Sequence, residues 1–167
     1  GEECAKLCAV WQREFMKKLG VPDAQSYNLT KEDFVSCTDY MMNVEVMTML
    51  EMVKREISPA VINFTKDVAD SALSVKSLLG EEWAKTQIDL VKTLSALTDV
   101  LTNTTAKLES TIGKIKDYDD VTECAKFYTS AVIPAMNDVR QIADKLETIV
   151  GSKYWPFPTY ADLLFRI

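Results

Sequence analysis

This 167-residue chain contains no histidine, and that absence removes several chemistries at once. Ser-His-Asp and Cys-His nucleophilic arrangements are excluded, as are the E-x-x-H di-iron sites of helical bundles and histidine-bearing zinc sites. Glycine and proline number five each, and neither G-x-x-x-x-G-K-[ST] nor G-x-G-x-x-G occurs, so no phosphate-cradling loop is present. No run of about 18 apolar residues could span a bilayer. Gly1-Glu2-Glu3-Cys4 lacks the basic and apolar regions of a signal peptide. A chain that opens on Gly1 reads either as processed or as cut from the interior of a longer protein. An excess of base is also missing. With 19 Lys and Arg against 25 Asp and Glu, the net charge is −6, the wrong sign for nucleic acid or an acidic membrane surface.

What is present suits a folded core. The composition is 47% hydrophobic and 26% charged, ordinary for a globular domain, and a chain this long buries roughly 70% of its unfolded surface. Cys4, Cys8, Cys37 and Cys124 make no C-x-x-C pair. They read as reduced, buried small side chains in a cytoplasmic protein.

Apolar spacing predicts four helices. Cys4, Leu7, Cys8, Trp11, Phe15 and Leu19 form one stripe, stopped by Gly20 and Pro22. Thr30 to Asp33 supplies a cap and first-turn acids for the next. That second helix covers about 39–79, carrying Val46, Leu50, Val53, Ile57, Val61, Phe64, Val68, Ala72, Val75 and Leu79 to Gly80. At roughly 60 Å it demands an elongated bundle, with a kink near Ser58 where Pro59 interrupts it. A third helix, about 81–115, repeats at close to seven residues through Leu94, Leu101 and Leu108. Its many threonines lower its propensity, so tertiary contacts must hold it. The fourth, about 120–150, places Val121, Tyr128, Val132, Val139, Ile142, Leu146 and Ile149 inward and contains Pro134. The settings of Pro59 and Pro134 look alike, but the stripes after them differ in register, so an internal repeat is not inferred.

After Gly151 the pattern changes. Tyr154-Trp155-Pro156-Phe157-Pro158-Thr159-Tyr160 suits neither helix nor central strand. It predicts an extended tail, whose aromatic surface needs a place to dock. The fold expected is thus all-α: an elongated antiparallel bundle of about four helices over residues 1–151, with a tail over 152–167 packing on the bundle or on a parent core. Asp117, Asp119, Asp120 and Glu123 lack the spacing of a calcium loop and read as capping and solvated acids. Met41, Met42, Met47, Met49 and Met52 read as packing residues, with an adaptable binding face as the alternative. Arg140, Lys145 and Glu147 read as members of exposed pairs. No residue is assigned a catalytic, cofactor-binding or metal-ligating role.

The last helix and tail carry a resemblance. Ile133-Pro134-Ala135-Met136, Val139-Arg140, Ala143-Asp144-Lys145-Leu146-Glu147 and the W-P-F-P-T-Y run with Asp162-Leu163-Leu164-Phe165 resemble the carboxy terminus of type III glutamine synthetases. Glu45-Val46-Met47-Thr48-Met49-Leu50, Ile57, Pro59-Ala60-Val61 and Thr65-Lys66-Asp67 resemble an earlier helix of the same region. Ala161 departs from an expected glycine, and residues 1–40 add nothing to the match. The resemblance implies a parent that ligates ammonia to glutamate with ATP and Mg²⁺ or Mn²⁺, on a core amino-terminal to this segment. It also implies a ring-shaped homo-oligomer, with parent core and neighbouring subunits as partners. None of that family's catalytic residues maps here. A free-standing helical adaptor is the alternative, and an independent carboxylate enzyme the least supported reading.

Overall fold

A computed structural model describes residues 31–158 apart from Asp119, and those residues are almost wholly helical, without a strand. The helix expected over residues 2–19 and the end of the tail, 159–167, lie outside the described residues. Three helical rods follow one another. The first joins α1 (Lys31–Met52) through a π turn (Val53–Ile57) to α2 (Ser58–Leu79). The second opens with a 3₁₀ turn (Glu81–Ala84), continues as α3 (Lys85–Gly113) and closes with another 3₁₀ turn (Lys114–Asp117). The third joins α4 (Val121–Phe127) through a second π turn (Tyr128–Val132) to α5 (Ile133–Ile149).

The two prolines share one solution. A proline has no N–H to donate, and its ring collides with the carbonyl four residues back. The π turn widens the helix just ahead of each. The Ser58 N–H reaches the Val53 carbonyl, and the Ile133 N–H reaches the Tyr128 carbonyl, five residues back in both cases. Pro59 and Pro134 then occupy the first turn of α2 and α5, where a missing N–H costs nothing. Each rod therefore runs on through its proline.

Threonine is accommodated in α3 by a different local device. Thr98 donates its hydroxyl to the Leu94 carbonyl (2.7 Å), Thr102 to Thr98 (2.9 Å), Thr105 to Leu101 (2.7 Å) and Thr111 to Lys107 (2.8 Å). Each hydroxyl is satisfied inside its own helix. Thr105 can therefore be buried beside Leu101 and Leu108 with no partner from another rod.

The rods meet along one apolar seam. The first contributes Val46, Leu50, Val53, Ile57 and Val61; the second Leu94, Leu101 and Leu108; the third Tyr128, Val132, Ala135, Val139, Leu146 and Val150. α3 packs against both α2 and α5, while α4 packs against α1. Gly80 makes the first reversal, at φ 101° and ψ 168°, a region essentially reserved for glycine. Its N–H donates to the Lys76 carbonyl (3.0 Å), and Lys76 pairs with Glu81 (2.8 Å) across the turn. The second reversal ends on Asp120, whose carboxylate accepts the Glu123 N–H (3.2 Å) and caps α4.

The third rod is shorter than the first. After Val150 the chain turns, with the Gly151 carbonyl accepting the N–H groups of Tyr154 (2.8 Å) and Trp155 (3.3 Å). Tyr154 then lies on Phe64, ring centroids 5.2 Å apart, and its hydroxyl donates to the Asp67 carboxylate. Trp155 and Phe157 meet edge to face at 6.2 Å and, half-buried, flank the core. Beyond that level α2 has α3 as its neighbour among the described rods, and the hairpin tip leaves Leu73, Leu78, Leu79 and Trp83 exposed. Leu79 continues the predicted stripe, but its face meets no described rod there.

Candidate functional site

The polar groups of the described residues fall into three sets. The first is structural pairing at the surface. Lys54 pairs with Glu109, and Lys107 with Asp138 (3.3 Å), tying the second rod to its two neighbours. Arg140 stands 3.8 Å from Asp144, and Lys126 3.2 Å from Glu123, each within its own helix. Such exposed pairs contribute under about 1 kcal/mol each. Asp120 of the predicted acidic cluster caps a helix and Glu123 pairs with Lys126; Asp119 lies outside the described residues. Among the described residues, no group of three or more His, Cys, Asp or Glu side chains could hold a metal.

The second set lies where α1 crosses α4. Cys124 is half-buried beside Asp39, with the buried Tyr128 close by. Burial, then the charge of Asp39, holds the Cys124 thiol above its ordinary range. Burial also raises the Asp39 carboxyl, against a smaller lowering by the neighbouring Cys124 thiol. Tyr128 is raised for the same reason, burial first and its two neighbours after. A protonated, shielded thiol is a poor nucleophile. Cys4 and Cys8 lie outside the described residues.

The third set is apolar. The methionines divide between two faces of α1. Met42 and Met49 pack on the core, while Met41 and Met47 are exposed with Tyr40 and Val44. The hairpin tip carries the other exposed group, Leu73, Leu78, Leu79 and Trp83. Sequence periodicity missed this tip because it reports which face is apolar, not how far a neighbouring rod extends. The small buried residues Ala60, Ala84 and Ala135 were missed for a related reason, whereas the buried Ala72 lies on the predicted stripe. Alanine carries little hydrophobic signal, yet it suits places where backbones approach. No helix among the described residues is long and apolar enough to cross a membrane.

No family model matches the chain. Two curated relatives do. The glutamine synthetase of Butyrivibrio fibrisolvens is 26% identical over 145 residues, covering 83% of this chain and 21% of that protein. The type-3 glutamine synthetase of Dictyostelium discoideum is 29% identical over 129 residues, covering 74% of this chain and 17% of its own length. The chain is thus a sequence relative of the glutamine synthetases, type 3 among them, and spans about a fifth of the length of the curated relatives it matches.

Proposed function

We propose that this chain is a carboxy-terminal helical segment of a type III glutamine synthetase and serves its folding and assembly, not its chemistry. The observation that carries the proposal is the match itself: at least 74% of this chain corresponds to about a fifth of enzymes with that name. The W-P-F-P-T-Y tail supports the carboxy-terminal placement. In this reading the parent ligates ammonia to glutamate with ATP, and its core holds the nucleotide and Mg²⁺ or Mn²⁺. That core is cytoplasmic and belongs to a homo-oligomer, whose neighbouring subunits and core are the segment's partners.

The same proposal completes the architecture. Residues 2–19 supply a fourth helix, residues 1–151 form one elongated bundle, and 152–167 form a tail that packs on it or on the core. The contacts of Tyr154 with Phe64 and Asp67 support the first of these seats for the tail. The exposed tip and the exposed face of α1 are the surfaces available to a core or a neighbouring subunit. Two measurements test the reading. Antibody raised against this chain should detect a polypeptide several times larger than 18.8 kDa, and its removal should deplete glutamine-forming activity; a single band near the chain's own mass refutes a parent enzyme. Deleting residues 152–167 from the parent should lower its melting temperature or change its assembly by light scattering. Unchanged melting with unchanged size refutes the structural role.

A further inference from the structure

We infer that the tip of the α2–α3 hairpin is an interface with a second copy of this chain, laid antiparallel across the face that runs on beyond the third rod. The inference rests on the assembly reading above and names the surface and its occupant. The face continues a seat that is filled lower down. The Tyr154 hydroxyl binds Asp67 on α2, and Leu78, eleven residues on, stands three helical turns further along the same line. Past Asp67 that line has no cover from the described rods. Ser71 and Ser74 on it are exposed, and Leu78 is 81% exposed. With the half-buried Val75 and the exposed Leu79, Leu78 makes one apolar patch at i, i+3 and i+4. The exposed Trp83 closes the tip at the start of the second rod.

Charge and length select the occupant. One end of the face is acidic, with Glu81 and Glu82 at the tip. The other end carries Lys153, whose ammonium lies 5.3 Å from the centre of the Tyr154 ring. Glu81 is held within the hairpin by Lys76 (2.8 Å), whereas Glu82 and Lys153 make no ion pair among the described residues. From Asp67 to Leu79 the face is about 18 Å long at ~1.5 Å per residue. A second hairpin laid antiparallel over that length puts each Glu82 beside the partner's Lys153. It also sets Leu78 over the partner's Ser71, whose small side chain leaves room for it. A two-fold contact needs a surface complementary to itself, and an apolar strip with an acid at one end and a base at the other is such a surface. Two helix widths make the face about 20 Å across, so each copy contributes roughly 360 Å². That is the small end of specific interfaces, where association is weak and reversible.

Sedimentation velocity of the 167-residue chain tests this. Between about 1 μM and about 1 mM the mass should rise from 18.8 kDa towards twice that value. Leu78→Lys should weaken the dimer at least about tenfold. Leu73→Lys, at an exposed leucine about 140° around α2 from Leu78, should leave it unchanged. Glu82→Lys should weaken it by setting one cation against another, and adding Lys153→Glu should restore it. All four positions are exposed, so circular dichroism should show every variant as helical as the unsubstituted chain. A monomer at every concentration overturns the inference and leaves the face to a different molecule. No loss from Leu78→Lys, or an equal loss from Leu73→Lys, overturns the face. A charge exchange without recovery overturns the antiparallel register. None of these outcomes depends on the size of the polypeptide that carries this chain in cells, so a failed dimer and a failed parent-enzyme reading are told apart.

Discussion

Leu101 stands at the middle of the second rod, 1% exposed, with Leu94 and Leu108 fully buried one heptad to either side. Replacing it with alanine removes three carbons from the seam. At roughly 0.8 kcal/mol per methylene the transfer part is about 2.4 kcal/mol. The gap left behind adds to this, because rods held by Leu94 and Leu108 on both flanks collapse only partly around it. Alanine's better helix propensity returns a few tenths. Leu101→Ala should therefore destabilise the chain by about 3 kcal/mol, a large share of the roughly 5–15 kcal/mol available to a domain. Urea unfolding reads this directly. With a slope of about 2 kcal/mol per M, the midpoint should fall by roughly 1.5 M at unchanged slope. Leu78→Ala, at a side chain that is 81% exposed, should cost less than about 0.5 kcal/mol. Equal losses at the two positions would refute the seam described above, as would a negligible loss at Leu101.

Gly80→Ala should cost about 1–3 kcal/mol, seen as a lower melting temperature, because the strain is in the backbone; no neighbour lies within 4 Å of an added Cβ. Cys124 should alkylate with iodoacetamide more slowly than a free thiol at neutral pH, and Asp39→Asn should speed it by removing an adjacent charge. The Tyr154 hydroxyl is held above its ordinary value first by its bond to Asp67. A raised value in the folded state means the contact contributes below about pH 10 and is lost as pH rises through the folded value, so phenolate absorbance should develop later than in Asp67→Ala. Phe64→Ala should hasten tryptic cleavage after Lys153 by unseating the adjoining Tyr154 ring.

The positions of the three rods were legible because long stripes such as Val46 to Val61 and Leu94 to Leu108 have a period that no other element shares. Both prolines were expected to be tolerated inside their helices. The means was not legible, since a π turn changes hydrogen bonding without changing which residue types appear. Thr105 was hidden for a similar reason: its hydroxyl is absorbed by its own helix at Leu101, so its burial leaves no polar partner to find elsewhere. The exposed tip depends on where the third rod stops, a tertiary fact that Leu79 cannot report. Histidine's absence dismissed whole classes of catalytic site, but it could not point to the paired environments of Asp39 and Cys124, which come from different rods.

The two π turns also set a phase. Each admits an extra residue into a helix, so the core positions before and after it are counted from different origins. Between its terminal 3₁₀ turns the second rod, with Leu94, Leu101 and Leu108 at unbroken seven-residue steps, keeps a single count throughout α3. The bundle thus sets one metronomic rod against two that reset partway, and the resets let residues beyond each proline find their partners independently of those before it. Lengthening or shortening such a rod by one residue near Val53–Ile57 or Tyr128–Val132 disturbs a joint already out of step, whereas the same change in α3 would rotate every later contact.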